Sequence, residues 1–442
     1  MGVLLQAFYW DCPRLAGCEH AWWDHVRGKL PELAAAGFTA LWLPPASKAA
    51  SCKSMGYDPY DYYDLGEFDQ KGGVPTWFGT RAALEELVRA AHAAGLHLYA
   101  DMVFNHNNGA DEQEVNPLDG QSHWTKFTPK SGRFPRDWTC FHPSPYEFRD
   151  YESFGGMPDL CHRNPRVYIE LIQYCRWLLE EVGFDGFRYD CVRGFGGWMV
   201  RSIQELRALR DGQPFMPYAV AEFWDSDRVI DEWLGGTDAF AENPAGAFDF
   251  PLRWRLRDLC DSPGYSLREL AQPGVLLWDR PRDAVTFVEN HDVARDTPIV
   301  HDKLMAYAFI LTHEGYPCVF WQDYFDFGLA RPGDAGGIAA LIAAHEQHAG
   351  GPARVLLADD DLYVMQRDGQ PGRSGLVLVL NNRGLWQGSM VQTRWGGTRL
   401  RPVAWRGRDD AGVPQEKWTD AYGRADLWAP PRGYAVYVPE LG

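Results

Sequence analysis

No stretch of this sequence is apolar for long enough to span a bilayer, which excludes a helical membrane anchor. The first residues also lack the basic, apolar and small-residue blocks of a secretory leader. The chain is therefore expected in the cytoplasm, or as a secreted protein whose leader has been removed. Runs of Lys and Arg are missing too, and the formal charge is −17. Binding to phosphate backbones requires a basic stripe, so nucleic acid is not expected as a partner. The nine Cys contain no zinc-type CxxC pair and run from Cys12 to Cys318. They read as mostly buried thiols, with a Cys12–Cys18 bridge left open. Low-complexity segments and short internal repeats are absent.

What is present is a chain of 442 residues, long enough for a large barrel with smaller attachments and expected to act as a monomer. Aromatic residues make up 14%, including 19 Trp. Their flat apolar faces with one polar edge suit stacking on pyranose rings, and equally suit filling a large core. A neutral, hydroxyl-rich substrate fits this composition without any positive field.

Short β-like runs alternate with helical patterns through the first 350 residues, the signature of βα units. Strands are expected at 3–10, 38–43, 96–104, 184–189, 218–223, 247–250, 285–288 and 318–321. Helices are expected at 23–36, 81–94, 166–181, 198–209, 227–234, 302–312 and 338–348. Gly37 and Gly95 would stop the first two. The rhythm breaks over 107–162, where Pro, Gly, Asp, Asn and aromatics give no helical period; an inserted subdomain is expected there. After Gly350-Gly351 the pattern becomes alternating strands. The expected fold is a (β/α)8 TIM barrel in two parts, 1–106 and 163–349. An irregular domain B (107–162) follows strand three, and an antiparallel β-sandwich domain C (350–442) ends the chain.

Four apolar runs each end in acids. They are His97-Leu-Tyr-Ala-Asp101-Met-Val-Phe-Asn105-His106, Phe184-Asp-Gly-Phe-Arg188-Tyr-Asp190, Tyr218-Ala-Val-Ala-Glu222-Phe-Trp224 and Ala284-Val-Thr-Phe-Val-Glu-Asn290-His291-Asp292. In a parallel barrel the C-terminal strand ends meet at one mouth, where active sites are built. Arg188 and Asp190 lie two apart and share a strand face. A guanidinium there would keep Asp190 ionised as a nucleophile requires, although from this segment alone a structural ion pair is the better reading. The aromatic neighbours of Glu222 would raise its pKa and hold a proton ready for a leaving oxygen. Asp292 either supports a cationic sugar transition state or caps a helix, and His291 offers a donor beside it.

Together these segments resemble the four short motifs of the α-amylase family, glycoside hydrolase family 13, in order and spacing. Met157-Pro-Asp-Leu160 resembles a further motif in that family's domain B. Gln6-Ala-Phe-Tyr-Trp-Asp11 and Ser54-Met-Gly-Tyr-Asp-Pro-Tyr-Asp61 look closest to archaeal and plant members. The resemblance implies Asp190 as nucleophile, Glu222 as general acid/base and Asp292 as transition-state stabiliser. It places Tyr57, His106, Arg188, Arg193 and His291 on the substrate, and gives Asp101 a holding role. It also implies Ca²⁺ on Asn105, Asp150 and Asp159 with the carbonyls of Glu152 and Gly194, where hard oxygen donors suit that ion. Zinc held near His142 and Cys161 is the alternative, weakened because Glu147 stands where archaeal relatives carry His.

The implied activity is retaining endo-hydrolysis of α-1,4-glucosidic bonds in starch, glycogen and related glucans. A maltooligosaccharide-trimming or transglycosylating enzyme would share the chemistry. A non-catalytic glucan-binding protein on the same scaffold would be expected to lack one of the three acids, and here all three are present.

Overall fold

The computed structural model describes residues 2–13, 20–238, 242–408 and 412–440. The expected Cys12–Cys18 bridge therefore falls outside the described residues. Eight short strands form a closed barrel: β1 (Leu4–Gln6), β2 (Ala40–Leu43), β3 (His97–Met102), β4 (Gly186–Tyr189), β5 (Tyr218–Ala221), β6 (Gly246–Phe248), β7 (Ala284–Phe287) and β8 (Tyr316–Phe320). Each strand neighbours the next in sequence, and β1 pairs with β8. The paired strands run parallel. Their residues are almost all buried, as expected when both faces of a parallel sheet are covered. All eight expected strands exist; β1 to β5 lie within the expected ranges, whereas β6, β7 and β8 begin and end one or two residues earlier than expected.

The chain falls into two compact units. One comprises residues 7–34 and 39–248 and holds the arc β2 to β6. The other comprises residues 1–6, 35–38 and 249–442 and holds β7, β8 and β1.

In the first unit, helix α1 (Trp22–Ala36) is followed by Gly37 at φ 98°, a left-handed stop that favours glycine. Helix α2 (Arg81–Ala93) starts where the Thr80 hydroxyl accepts from the Ala83 N–H. Between β3 and helix α3 (Pro165–Trp177) lies the irregular stretch expected from sequence. It is less shapeless than its composition implied, because 112–115 and 122–126 pair as an antiparallel hairpin. The next helix, α4 (Gly197–Gln204), is shorter than expected. Residues 208–210 and 213–215 instead pair around Asp211-Gly212, both at positive φ, a two-residue hairpin turn that ends the helical run.

In the second unit, Phe250 does not extend β6 as expected. It opens helix α5 (Phe250–Asp261), capped by the Asp249 carboxylate accepting from Leu252 N–H. Past the barrel, strands β9 (Ala353–Ala358), β10 (Leu362–Arg367), β11 (Leu376–Asn381), β12 (Gln387–Gln392), β13 (Arg399–Arg406), β14 (Lys417–Trp418), β15 (Arg424–Ala429) and β16 (Gly433–Pro439) follow. They form an antiparallel six-stranded sheet in the order β9-β10-β11-β16-β13-β14, with β12–β15 as a separate pair. Val364, Val379 and Tyr437 of the large sheet share a core with Val391 and Leu427 of the pair, which makes a two-layer sandwich.

Candidate active site

In the first unit, strand register places the acids. Asp101 on β3 pairs with Arg188 on β4, and Tyr189 pairs with Ala221 on β5. The residues just past those pairs, Asp190 and Glu222, therefore emerge side by side. Their backbone N–H groups still donate to Met102 and Tyr189 across the arc. The wholly buried Arg188 guanidinium gathers all three carboxylates. Its Nη1 donates to Asp101 Oδ1 at 2.7 Å and to Asp190 Oδ1 at 2.8 Å, and Nη2 lies 2.7 Å from Glu222 Oε2. Burial works against the cation, but Asp101, Glu222 and Asp190 outweigh it and hold Arg188 charged.

Asp101 faces inward and has no room for substrate. Its Oδ2 accepts from Tyr57 Oη at 2.8 Å and from Trp42 Nε1 at 3.0 Å. Burial pushes its carboxyl up to about 6 against the pull of Arg188. Glu222 does not sit in the apolar setting expected of it. One oxygen faces Arg188 and accepts from the Cys191 N–H at 3.4 Å, and Oε1 is buried without a partner. A buried carboxyl oxygen with no donor is an unusual feature and marks where an incoming polar atom belongs. His106 donates from Nε2 to the Tyr57 carbonyl oxygen at 2.8 Å and stacks on Phe154 at 4.7 Å. Burial lowers its pKa. Arg193 lies at the surface, 3.1 Å from Glu152 Oε2.

The expected metal ligands sit nearby in the same unit. Asn105 is fully buried, and neither its Oδ1 nor its Nδ2 has a partner. Asp159 Oδ1 and Asp150 Oδ2 also lack hydrogen-bond partners. Gly194 packs so tightly that an added Cβ would fall 1.5 Å from Asn105 Oδ1 and 2.9 Å from Glu152 O. His142 Nδ1 lies 3.2 Å from Asp159 Oδ2 and 3.7 Å from Asp150 Oδ2. Burial opposes its charge, but hydrogen bonds to Asp159 and Cys161 push the imidazole up to about 10. Burial and then the Asp159 charge push Asp150 up to about 7. Crowded, unpartnered oxygens of this kind fit a hard divalent cation. The nitrogen and sulfur alternative is a second group, His142, Glu147 and Cys161, whose ligand atoms also lie within 4.8 Å of one another.

In the second unit, Asn290-His291-Asp292 follows β7. Asn290 Oδ1 accepts from the N–H of Asp292 and of Val293, so it is Asn290 that caps the following turn. Asp292 makes no capping bond, which removes the helix-cap reading of its side chain. Its oxygens lie 3.4 Å from His291 Nε2 and 3.4 Å from Arg295 Nη2. His291 Nδ1 is held by Gln6 Nε2 at 2.9 Å, which fixes Nε2 toward Asp292.

Trp42, Phe154, Cys191 and Gln6 were not singled out from sequence. Trp42 lies in a fully buried strand whose alternation carries no in-or-out signal. The contacts of the others depend on chain segments far apart in sequence.

Comparison with known proteins places the chain in the α-amylase family. The family described as Alpha amylase, catalytic domain, matches residues 22–211. An alpha-amylase of Geobacillus stearothermophilus is 30% identical, covering 97% of this chain and 87% of its own. A glucan 1,4-alpha-maltohexaosidase of Bacillus sp. (strain 707) is also 30% identical, over 96% and 87%. The crystal structure of an alpha-amylase from Geobacillus thermoleovorans complexed with acarbose superposes with a TM-score of 0.69 at 19% identity, covering 100% of this chain and 98% of the other.

Proposed function

We propose that this chain, which belongs to the α-amylase family and is a glycoside hydrolase, is a retaining endo-hydrolase of α-1,4-glucosidic bonds in starch and glycogen. The observation that carries the reading is one buried guanidinium touching both Asp190 and Glu222. It keeps Asp190 anionic for attack on the anomeric carbon and holds the two carboxyls close, as a covalent double displacement needs. Glu222 protonates the glycosidic oxygen through Oε1, then takes a proton from the water that releases the glycosyl-enzyme. Asp101 accepts from Arg188, Tyr57 and Trp42, and in doing so orients the guanidinium.

The mechanism requires Asp292 and His291 at the same sugar, and their place after β7 in a closed parallel barrel supports that assignment. His106, Tyr57, Arg188 and Arg193 are assigned to substrate contacts. Calcium is assigned to Asn105, Asp150 and Asp159 with the carbonyls of Glu152 and Gly194. When bound it would tie residues 150–159 to the strand end that carries His106. We assign residues 107–162 as domain B and 350–442 as domain C.

Asp190→Asn and Glu222→Gln are each expected to cut turnover of soluble starch by on the order of 10²- to 10⁴-fold while unfolding like the parent. Near-parental turnover in either variant defeats these roles. A second reading, trimming to one maltooligosaccharide, is favoured by the maltohexaosidase relative. Chromatography of early products from amylose separates the two: a mixture means internal cleavage, and one dominant product means trimming.

A further inference from the structure

The second unit holds a cavity of about 620 Å³, bounded by the segment after β7, the segment after β8 and the facing strands β13 and β16. Five cations line it in a chain whose net charge is −17: Lys303, Arg331, Arg406, Arg408 and Arg432. Four have acidic partners. Arg408 and Arg432 share Asp302 at 3.0 and 2.7 Å, Lys303 pairs with Asp323 at 2.7 Å, and Arg331 pairs with Asp334 at 2.7 Å. Arg406 has no hydrogen-bond or ion-pair partner among the described residues.

Arg406 stands directly opposite Tyr434 in the antiparallel β13–β16 register, so the two side chains share one face of the sheet. Tyr434 is fully buried, and its hydroxyl has no partner. A half-buried cation beside a buried, unsatisfied hydroxyl is a costly arrangement for the protein alone. Together they supply donors of the kind an oxyanion takes up, and Arg331 lines the same cavity as a second guanidinium, paired with Asp334 until a competing anion arrives. The cavity mouth adds apolar surface, since Phe327 and Val300 are 56% and 67% exposed.

We propose that this cavity is a binding site for a phosphate group, held by Arg406, Arg331 and the Tyr434 hydroxyl, whether free or carried on a small sugar. The site is independent of the glucan reading: none of its residues is assigned to catalysis or to substrate.

Calorimetric titration of the full chain in low-chloride buffer tests it, with inorganic phosphate and glucose 6-phosphate as separate ligands. Saturable binding of either at one site is expected. Arg406→Gln and Tyr434→Phe should each weaken it roughly tenfold or more, as the loss of a bond to a charged group implies. Starch cleavage by Arg406→Gln should match the parent. Tighter binding of the ester than of the free ion identifies a sugar phosphate; equal binding identifies the ion. Binding of neither ligand, or binding that survives both substitutions, overturns the proposal. Arg406 is half-buried, so its variant decides the matter even if Tyr434→Phe folds poorly.

Discussion

Two acidic clusters in the same unit solve like-charge crowding in opposite ways. Around Arg188, three carboxylates converge on a fixed internal cation that is fully enclosed. Around Asn105, the acids Asp150 and Asp159 have only the His142 imidazole between them, and several oxygens have no donor. The first cluster brings its own countercharge and can stay rigid whatever the medium contains. The second would be completed by a cation, as the proposed calcium assignment requires. A site that must hold two acids in defined charge states cannot depend on a dissociable ion, whereas a structural joint can.

The largest effect should come from breaking the first cluster. Arg188→Met leaves three carboxylates facing one another and should cost about 3–5 kcal/mol in urea unfolding at pH 7. Without the guanidinium their folded pKa values rise above the unfolded ones, so the penalty grows with rising pH and eases near pH 5. A penalty independent of pH would mean that the cation is not what balances the acids.

The second cluster should answer to the medium instead. Chelation followed by calcium addition should raise the melting temperature by about 3 °C at a hundredfold excess over Kd. The Arg188 variants should retain that response. Equal melting in chelator and calcium would contradict the assignment.

Gly194→Ala offers a finer cut. The added methyl would occupy the space of Asn105 Oδ1. Calcium affinity should fall roughly 10- to 100-fold by fluorescence or calorimetric titration, beyond the loss of about 1–3 kcal/mol that the overpacking should cost the chelated protein; parental affinity would contradict the assignment.

A carboxylate in a third setting sets the scale for both. Asp185, just before β4, is ringed by His92, His97, Arg210 and the Leu98 N–H. Burial opposes its charge, yet these donors hold its carboxyl well below the unfolded value of 3.8. A depressed folded pKa adds stability above that value and loses it as pH falls. Asp185→Asn should therefore cost about 1–3 kcal/mol at pH 7 and progressively less below pH 4.

Much of this was legible in the chain. Strands buried on both faces must be continuously apolar, so β3, β4, β5 and β7 stood out, and each handed over its acid at the right end. Tertiary contact was not legible. The aromatic neighbours of Glu222 pointed to an apolar pocket, and only the β4–β5 register revealed the guanidinium beside it. The shortened α4 was readable in principle, because Asp211-Gly212 is a strong hairpin-turn dipeptide; the apolar period of residues 198–209 outweighed it. Asp292 could be a cap or a functional acid from sequence, and the hydrogen bonds of Asn290 remove the cap reading.

The guanidinium shared by Asp190 and Glu222 has a consequence for the proposed reaction. In that reaction Asp190 is assigned to begin as the attacking anion and Glu222 as the proton donor, with Asp101 unchanged throughout. Once the glycosyl ester has formed, Asp190 is neutral and Glu222 has become the anion. Arg188 faces the same number of negative charges in both states, only redistributed from one of its nitrogens toward the other. No ion has to enter or leave the enclosed centre during the first half-reaction, and its net charge is conserved while the covalent bonds change.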